Sequence, residues 1–256
     1  MTLDIEAHED SRRVSRKAVQ GIAWNFLAYG LSRGGVLLTT AVLARLLSKE
    51  DFGLVAVATV AVNYLSIVKD LGLGVALIQR QGEVREAANT VFTVNLLLGA
   101  FLSALVFPLA PLFAAYFRDP MVMPILRWLG LSFFINALGA VHIVLLMRDL
   151  DYRRKFIPDA GNVLAKSAAS IGLAFAGYGA WALVFGQLLG ALTSVVLAWL
   201  VLPWRPALRL DVSLFKALLR FGASVTGTDV IAVITDNLDY VIVGRVAGLE
   251  QLSVYT

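Results

Sequence analysis

The chain has 256 residues, of which 59% are hydrophobic and 16% charged, with a formal net charge of +4. Soluble domains are about 45–50% apolar even with glycine counted, and about 25% charged, so a water-soluble globule is excluded and the chain reads as an all-α integral membrane protein. There is no cysteine, and the only histidines are His8 and His142; thiolate and iron–sulfur chemistry is excluded, and no metal or cofactor is expected.

Residues 1–17 read as a cytoplasmic N-terminal tail, acidic up to Asp10 and then basic at Arg12, Arg13, Arg16 and Lys17. No small-residue cleavage site precedes a short apolar run, so the first long helix is expected to be an uncleaved anchor. A bilayer core about 30 Å thick needs about 20 apolar residues per spanning helix. Such runs fall at 18–46, 53–79, 88–116, 122–147, 158–176, 179–202 and 218–247. Gly177-Tyr178-Gly179 predicts a tight hairpin between the fifth and sixth. The expected organisation is a six-helix transmembrane lobe over 18–202, a linker over 203–217, and the first helix of a second lobe over 218–256. In the linker, Leu210, Leu214 and Leu218 share a helical face while Arg209, Lys216 and Arg220 lie on others, which predicts an amphipathic helix in the membrane interface.

Placing the N-terminus in the cytoplasm puts fourteen Lys and Arg residues on that side and five on the other. That asymmetry satisfies the positive-inside rule, and the basic balance reflects cytoplasmic loops rather than nucleic-acid binding. A shift of 200 residues aligns Arg45 with Arg245 and Glu50 with Glu250, each pair following a long apolar run. Six spans separate the copies, so both repeats enter the membrane in the same direction, a known transporter plan. The second repeat has only begun at Thr256, so the expectation is a truncated piece of a protein nearly twice as long.

Charged residues inside spans are costly and usually face a bundle interior or wet cavity. Beyond the loop and span-end cations already counted, Arg33, Lys69 and Lys166 lie inside predicted spans. Arg33 lies about 24 Å beyond Lys17 along the first helix, at 1.5 Å per residue. Thr59, Asn63 and Asp70 form a stripe on the second run, and Asp159, Asn162, Lys166 and Ser170 one on the fifth. Asp229, Asp236 and Asp239 share a face of the seventh. Asn and Ser in such stripes are more often interhelical glue than site residues. Lys69 and Asp70 are adjacent and cannot share a face, and His142 reads as an interfacial residue rather than a proton relay. Three membrane cations point to an anionic substrate, since Arg suits bidentate phosphate contact and Lys binds phosphate as a point charge. Arg33, Lys69, Asp70 and Lys166 are therefore the candidate substrate-binding residues, with Asp229, Asp236 and Asp239 as counter-charges or a coupling-ion site.

Several motifs resemble those of the polysaccharide transporter family within the multidrug/oligosaccharidyl-lipid/polysaccharide flippase superfamily, especially its colanic-acid type of lipopolysaccharide biosynthesis protein. They are Gly21-Ile22-Ala23-Trp24, the stretch Val42 to Leu54, the stretch Asp70 to Arg80, Arg148-Asp149-Leu150-Asp151-Tyr152-Arg153, and Leu218 to Gly222 leading to Asn237 through Arg245. The resemblance implies two six-helix lobes around a cavity that opens alternately to either side. It implies no enzyme but a flippase or exporter of undecaprenyl-diphosphate-linked oligosaccharide in the bacterial inner membrane, multi-pass, beside a polysaccharide polymerase and glycosyltransferases. Cavity cations in such proteins are linked to the lipid diphosphate, which suits Arg33, Lys69 and Lys166. Its one departure is length, because one lobe and a lone helix cannot enclose that cavity. A drug/cation antiporter of the same superfamily, a membrane glycan ligase or polymerase, and a non-transporting assembly subunit are the alternatives.

Overall fold

The computed structural model describes residues 2–69 and 72–222, and among these every regular element is a helix. In chain order they are α1 (Thr2–Leu46), α2 (Lys49–Lys69), α3 (Leu73–Gln79), α4 (Val84–Phe117), α5 (Val122–Arg148), α6 (Tyr152–Phe175) and α7 (Ala180–Val201). Residues 212–222 are also helical. Among the described residues, four segments are long and apolar enough to cross a membrane: Ala23–Leu46 within α1, then α4, α5 and α7. The protein is an all-α membrane protein. Of the seventh expected run, only its first five residues lie within the described part.

Two expectations are corrected. The run 53–79 is not one helix: α2 ends at Lys69, and Gly72 precedes α3 with φ +68°. That left-handed conformation is open to glycine and strained for residues with a Cβ. The linker is also not helical throughout. Residues 203–211 have no helical structure, in keeping with Pro203 and Pro206, which remove backbone donors and disfavour helix in the residues before them.

Helix α5 is the hub, packed against α2, α3, α4 and α7, while α1 rests chiefly on α6. One apolar core joins Val55 and Ala58 of α2, Leu102 and Val106 of α4, Ile125 and Leu129 of α5, and Val184 of α7. A second joins Leu73 and Leu77 of α3, Ala87 and Val91 of α4, and Leu214 and Leu218 of the helix 212–222. The closest pair is α6 and α7, joined through the expected hairpin at Gly177 and Gly179, both at positive φ. Their axes approach because Gly186 and Gly190, four residues apart, present no side chain to α6; a Cβ on Gly190 would fall 2.9 Å from the Asn162 carbonyl oxygen. Small residues at this spacing are the usual device for close helix packing in membranes.

Segment 203–211 is strapped across the bundle end that also carries Arg80 and Arg148. Its Ala207 N–H donates to Asn89 Oδ1 (3.0 Å), and Thr93 Oγ1 donates to its Arg209 carbonyl (3.1 Å). Asp211 then caps the helix 212–222 by accepting from the backbone N–H groups of Ser213 (2.8 Å) and Leu214 (3.0 Å). The hydrogen bonds from Ser213 and Leu214 hold the Asp211 carboxyl below the usual carboxylate range. The far end of this helix touches the α2–α3 break. A Cβ on Gly72 would lie 2.6 Å from the carbonyl carbon of Gly222.

Candidate substrate-binding surface

Helix α1 meets α6 through one face. Trp24 lies against Phe156, with ring centroids 5.3 Å apart, and Thr39 Oγ1 donates to Ser167 Oγ at 2.7 Å. A Cβ on Gly35 would run into the Val163 side chain. Arg33 is two residues before Gly35, hence about 200° around the helix at 3.6 residues per turn. Its side chain is exposed on the face turned away from α6. Phe26 and Leu37 share that face, 73% and 71% exposed. The Arg33 guanidinium lies over the Tyr29 ring, its ζ-carbon 5.3 Å from the centroid.

Lys166 is placed differently. It is half-buried in the α6–α7 contact, and a Cβ on Gly190 would come within 2.9 Å of the Lys166 Cβ. The α6 stripe therefore does not act as one surface. Asp159 pairs with Lys155, Oδ2 to Nζ 2.6 Å, and Asn162 and Ser170 press on α7 beside Lys166. Ser170 is 1% exposed, and its Oγ has no hydrogen-bond partner among the described residues, so it packs against α7 without bonding to it. Arg33 and Lys166 lie on different helix faces and share no contact partner among the described residues. On α2, Thr59 is half-buried and Asn63 exposed. Lys69 ends α2, but its side chain is outside the described part, as are Asp70, Asp229, Asp236 and Asp239.

Three features were missed by spacing arguments. His142 is fully buried. It stacks on Trp199 (centroids 4.6 Å) and meets Trp204 edge-on (5.1 Å). A carbonyl can only accept, so His142 Nε2 donates to the Trp204 oxygen at 3.3 Å. Arg148 Nη1 donates to the Leu77 carbonyl at 2.7 Å, satisfying a carbonyl in the last turn of α3. Asp51 joins two helices: it exchanges capping bonds with Ser48, Ser48 N–H to Oδ2 3.0 Å and Asp51 N–H to Ser48 Oγ 3.1 Å, and it accepts from Ala180 at the start of α7. The Ser48-to-Asp51 spacing is itself close to a capping-box signal; the distant partners have no such local sign. Two cavities open near the strapped end. One, of about 480 Å³, is lined by Trp24, Asp149 and Tyr152, and the other, of about 570 Å³, by Asn89, Arg209 and Asp211. Neither includes Arg33 or Lys166.

An apolar helical bundle with several segments long enough to cross a bilayer is the build of a membrane protein. Residues 42–256 match the family described as "Polysaccharide biosynthesis protein", and the chain belongs to that family. It is 26% identical over 94% of its length to the succinoglycan biosynthesis transport protein ExoT of Rhizobium meliloti (strain 1021), covering 49% of that protein. It is 25% identical over 91% of its length to the lipopolysaccharide biosynthesis protein WzxC of Escherichia coli (strain K12), covering 48%. To the teichuronic acid biosynthesis protein TuaB of Bacillus subtilis (strain 168) it is 27% identical over 75% of its length, covering 40%. The chain thus spans about half the length, or less, of these relatives. No solved structure matches it.

Proposed function

We propose that the protein moves a polyprenyl-diphosphate-linked oligosaccharide from the inner to the outer leaflet of the bacterial inner membrane by alternating access, with its N-terminus in the cytoplasm. The observation that carries this reading is the exposed Arg33 guanidinium on the face of α1 that α6 leaves uncovered. A guanidinium in an apolar setting is costly unless it meets an anion, and its planar fork fits the oxygens of a diphosphate. Relatives named for the transport or synthesis of surface polysaccharides support a glycan as the cargo. In this reading Lys69, Asp70 and Lys166 are further substrate contacts, and Asp229, Asp236 and Asp239 are counter-charges. The polymerase and glycosyltransferases of the same glycan are the expected partners.

The test is a strain whose only full-length copy carries Arg33→Ala. Surface polysaccharide is lost and lipid-linked oligosaccharide accumulates, while the protein keeps its normal level in the membrane. Undiminished surface polysaccharide removes Arg33 from the site. A deletion strain that keeps its polysaccharide but becomes drug-sensitive identifies a drug/cation antiporter instead.

A further inference from the structure

We infer that Tyr29 is a positioning residue for the anion-binding Arg33, its ring holding the guanidinium through a cation–π contact so that the group is placed to meet the diphosphate of the lipid carrier. The inference rests on the substrate reading above and adds to it a residue that the charge pattern did not select.

Tyr29 and Arg33 are four residues apart on α1, so their side chains are neighbours on one helix face. The ζ-carbon stands 5.3 Å from the ring centroid, within the range of a cation–π contact. Among the described residues, no other side chain is hydrogen-bonded or ion-paired to the guanidinium. Gly30 and Gly34 flank Arg33 on the helix surface, and a Cβ built on either would meet nothing within 4 Å. Arg33 forms no hydrogen bond or ion pair among the described residues, and Tyr29 itself is 60% exposed. A free arginine side chain loses considerable rotamer freedom on binding; one already laid over a ring loses less. A contact to the ring face uses no oxygen acceptor, so guanidinium N–H donors remain for a ligand. Those donors are the ones that bind two phosphate oxygens side by side. A tyrosine that only stiffened α1 would contribute equally with and without the ligand.

The purified full-length protein, titrated with fluorescent undecaprenyl diphosphate, separates these roles. Tyr29→Leu raises Kd about two- to fivefold, the factor an exposed cation–π contact supplies, while Tyr29→Phe, which keeps the ring, binds as wild type. Arg33→Ala weakens binding further, and adding Tyr29→Leu to it changes nothing more, the signature of two residues acting as one. Equal gel-filtration profiles and helical circular dichroism confirm that each variant is folded. If Arg33→Ala weakens binding but Tyr29→Leu leaves it unchanged, or the two effects simply add, the positioning role is overturned and the substrate reading stands. If Arg33→Ala itself binds normally, both fall.

Discussion

The Asp51 carboxylate at the start of α2 accepts a hydrogen bond from the backbone N–H of Ala180 at the start of α7, Oδ1 to N 2.8 Å. One side chain thus serves two helix N-termini 129 residues apart in sequence, because its other oxygen accepts from Ser48. Each N-terminus leaves backbone donors without intrahelical partners and favours a negative charge.

Asp51→Ala is expected to destabilise the protein by about 1–2 kcal/mol, the usual cost of a lost cap. Burial raises the Asp51 pKa, but the hydrogen bonds from Ser48 and Ala180 outweigh it and leave the carboxyl below its ordinary value. A carboxylate whose folded pKa is depressed stabilises the protein above its unfolded pKa, about 3.9, and loses that contribution as pH falls through the folded value. Melting temperature in detergent, followed from neutral pH to below about pH 4, should fall more steeply for the wild type than for Asp51→Asn. Parallel curves would show that this cap is energetically idle.

Gly190→Val should separate α6 from α7. Its Cβ would stand 2.9 Å from the Asn162 carbonyl oxygen, and backbone cannot swing aside as a flexible side chain can. Overpacking of this kind costs about 1–3 kcal/mol. A lowered melting temperature and reduced membrane level are expected, whereas Gly172→Ala, which meets nothing within 4 Å, should be tolerated. Equal behaviour of the two variants would mean the helices can part without loss.

The strap gives a third prediction. Asn89 holds Ala207, and Thr93 holds Arg209, while Arg205 and Arg209 are exposed. Losing a hydrogen bond worth about 1 kcal/mol populates an open strap about fivefold more. Limited trypsin treatment of vesicles should therefore cut after Arg209 several times faster in Asn89→Ala. An unchanged cutting rate would mean the Asn89 hydrogen bond does not hold the segment closed.

The runs 88–116 and 122–147 were readable because each is a long apolar stretch flanked by charge. The run 122–147 becomes Val122–Arg148 and 88–116 becomes Val84–Phe117. The break after Lys69 was hidden because apolar residues lie on both sides of it; Lys69-Asp70 followed by Gly72 was the available sign. Leucine spacing at 210, 214 and 218 outweighed Pro203 and Pro206, although Leu214 and Leu218 do share a buried face. For the site, periodicity placed Asn162, Lys166 and Ser170 on one side of α6 but could not tell whether a cavity or a helix lies opposite. The pair Gly186 and Gly190 was the clue to a helix. The burial of His142 was not legible because Trp199 and Trp204, which enclose it, are distant in the chain.

The backbone contact between Gly72 and Gly222 bears on how the chain is threaded during synthesis. A chain is made from its N-terminus, so α3 precedes the helix 212–222 on the ribosome by more than a hundred residues. When Leu214 and Leu218 settle beside Leu73 and Leu77, the helix 212–222 docks on a surface already made. A bulkier residue at position 72 would thus push this helix off α3 while leaving the helices made before it intact.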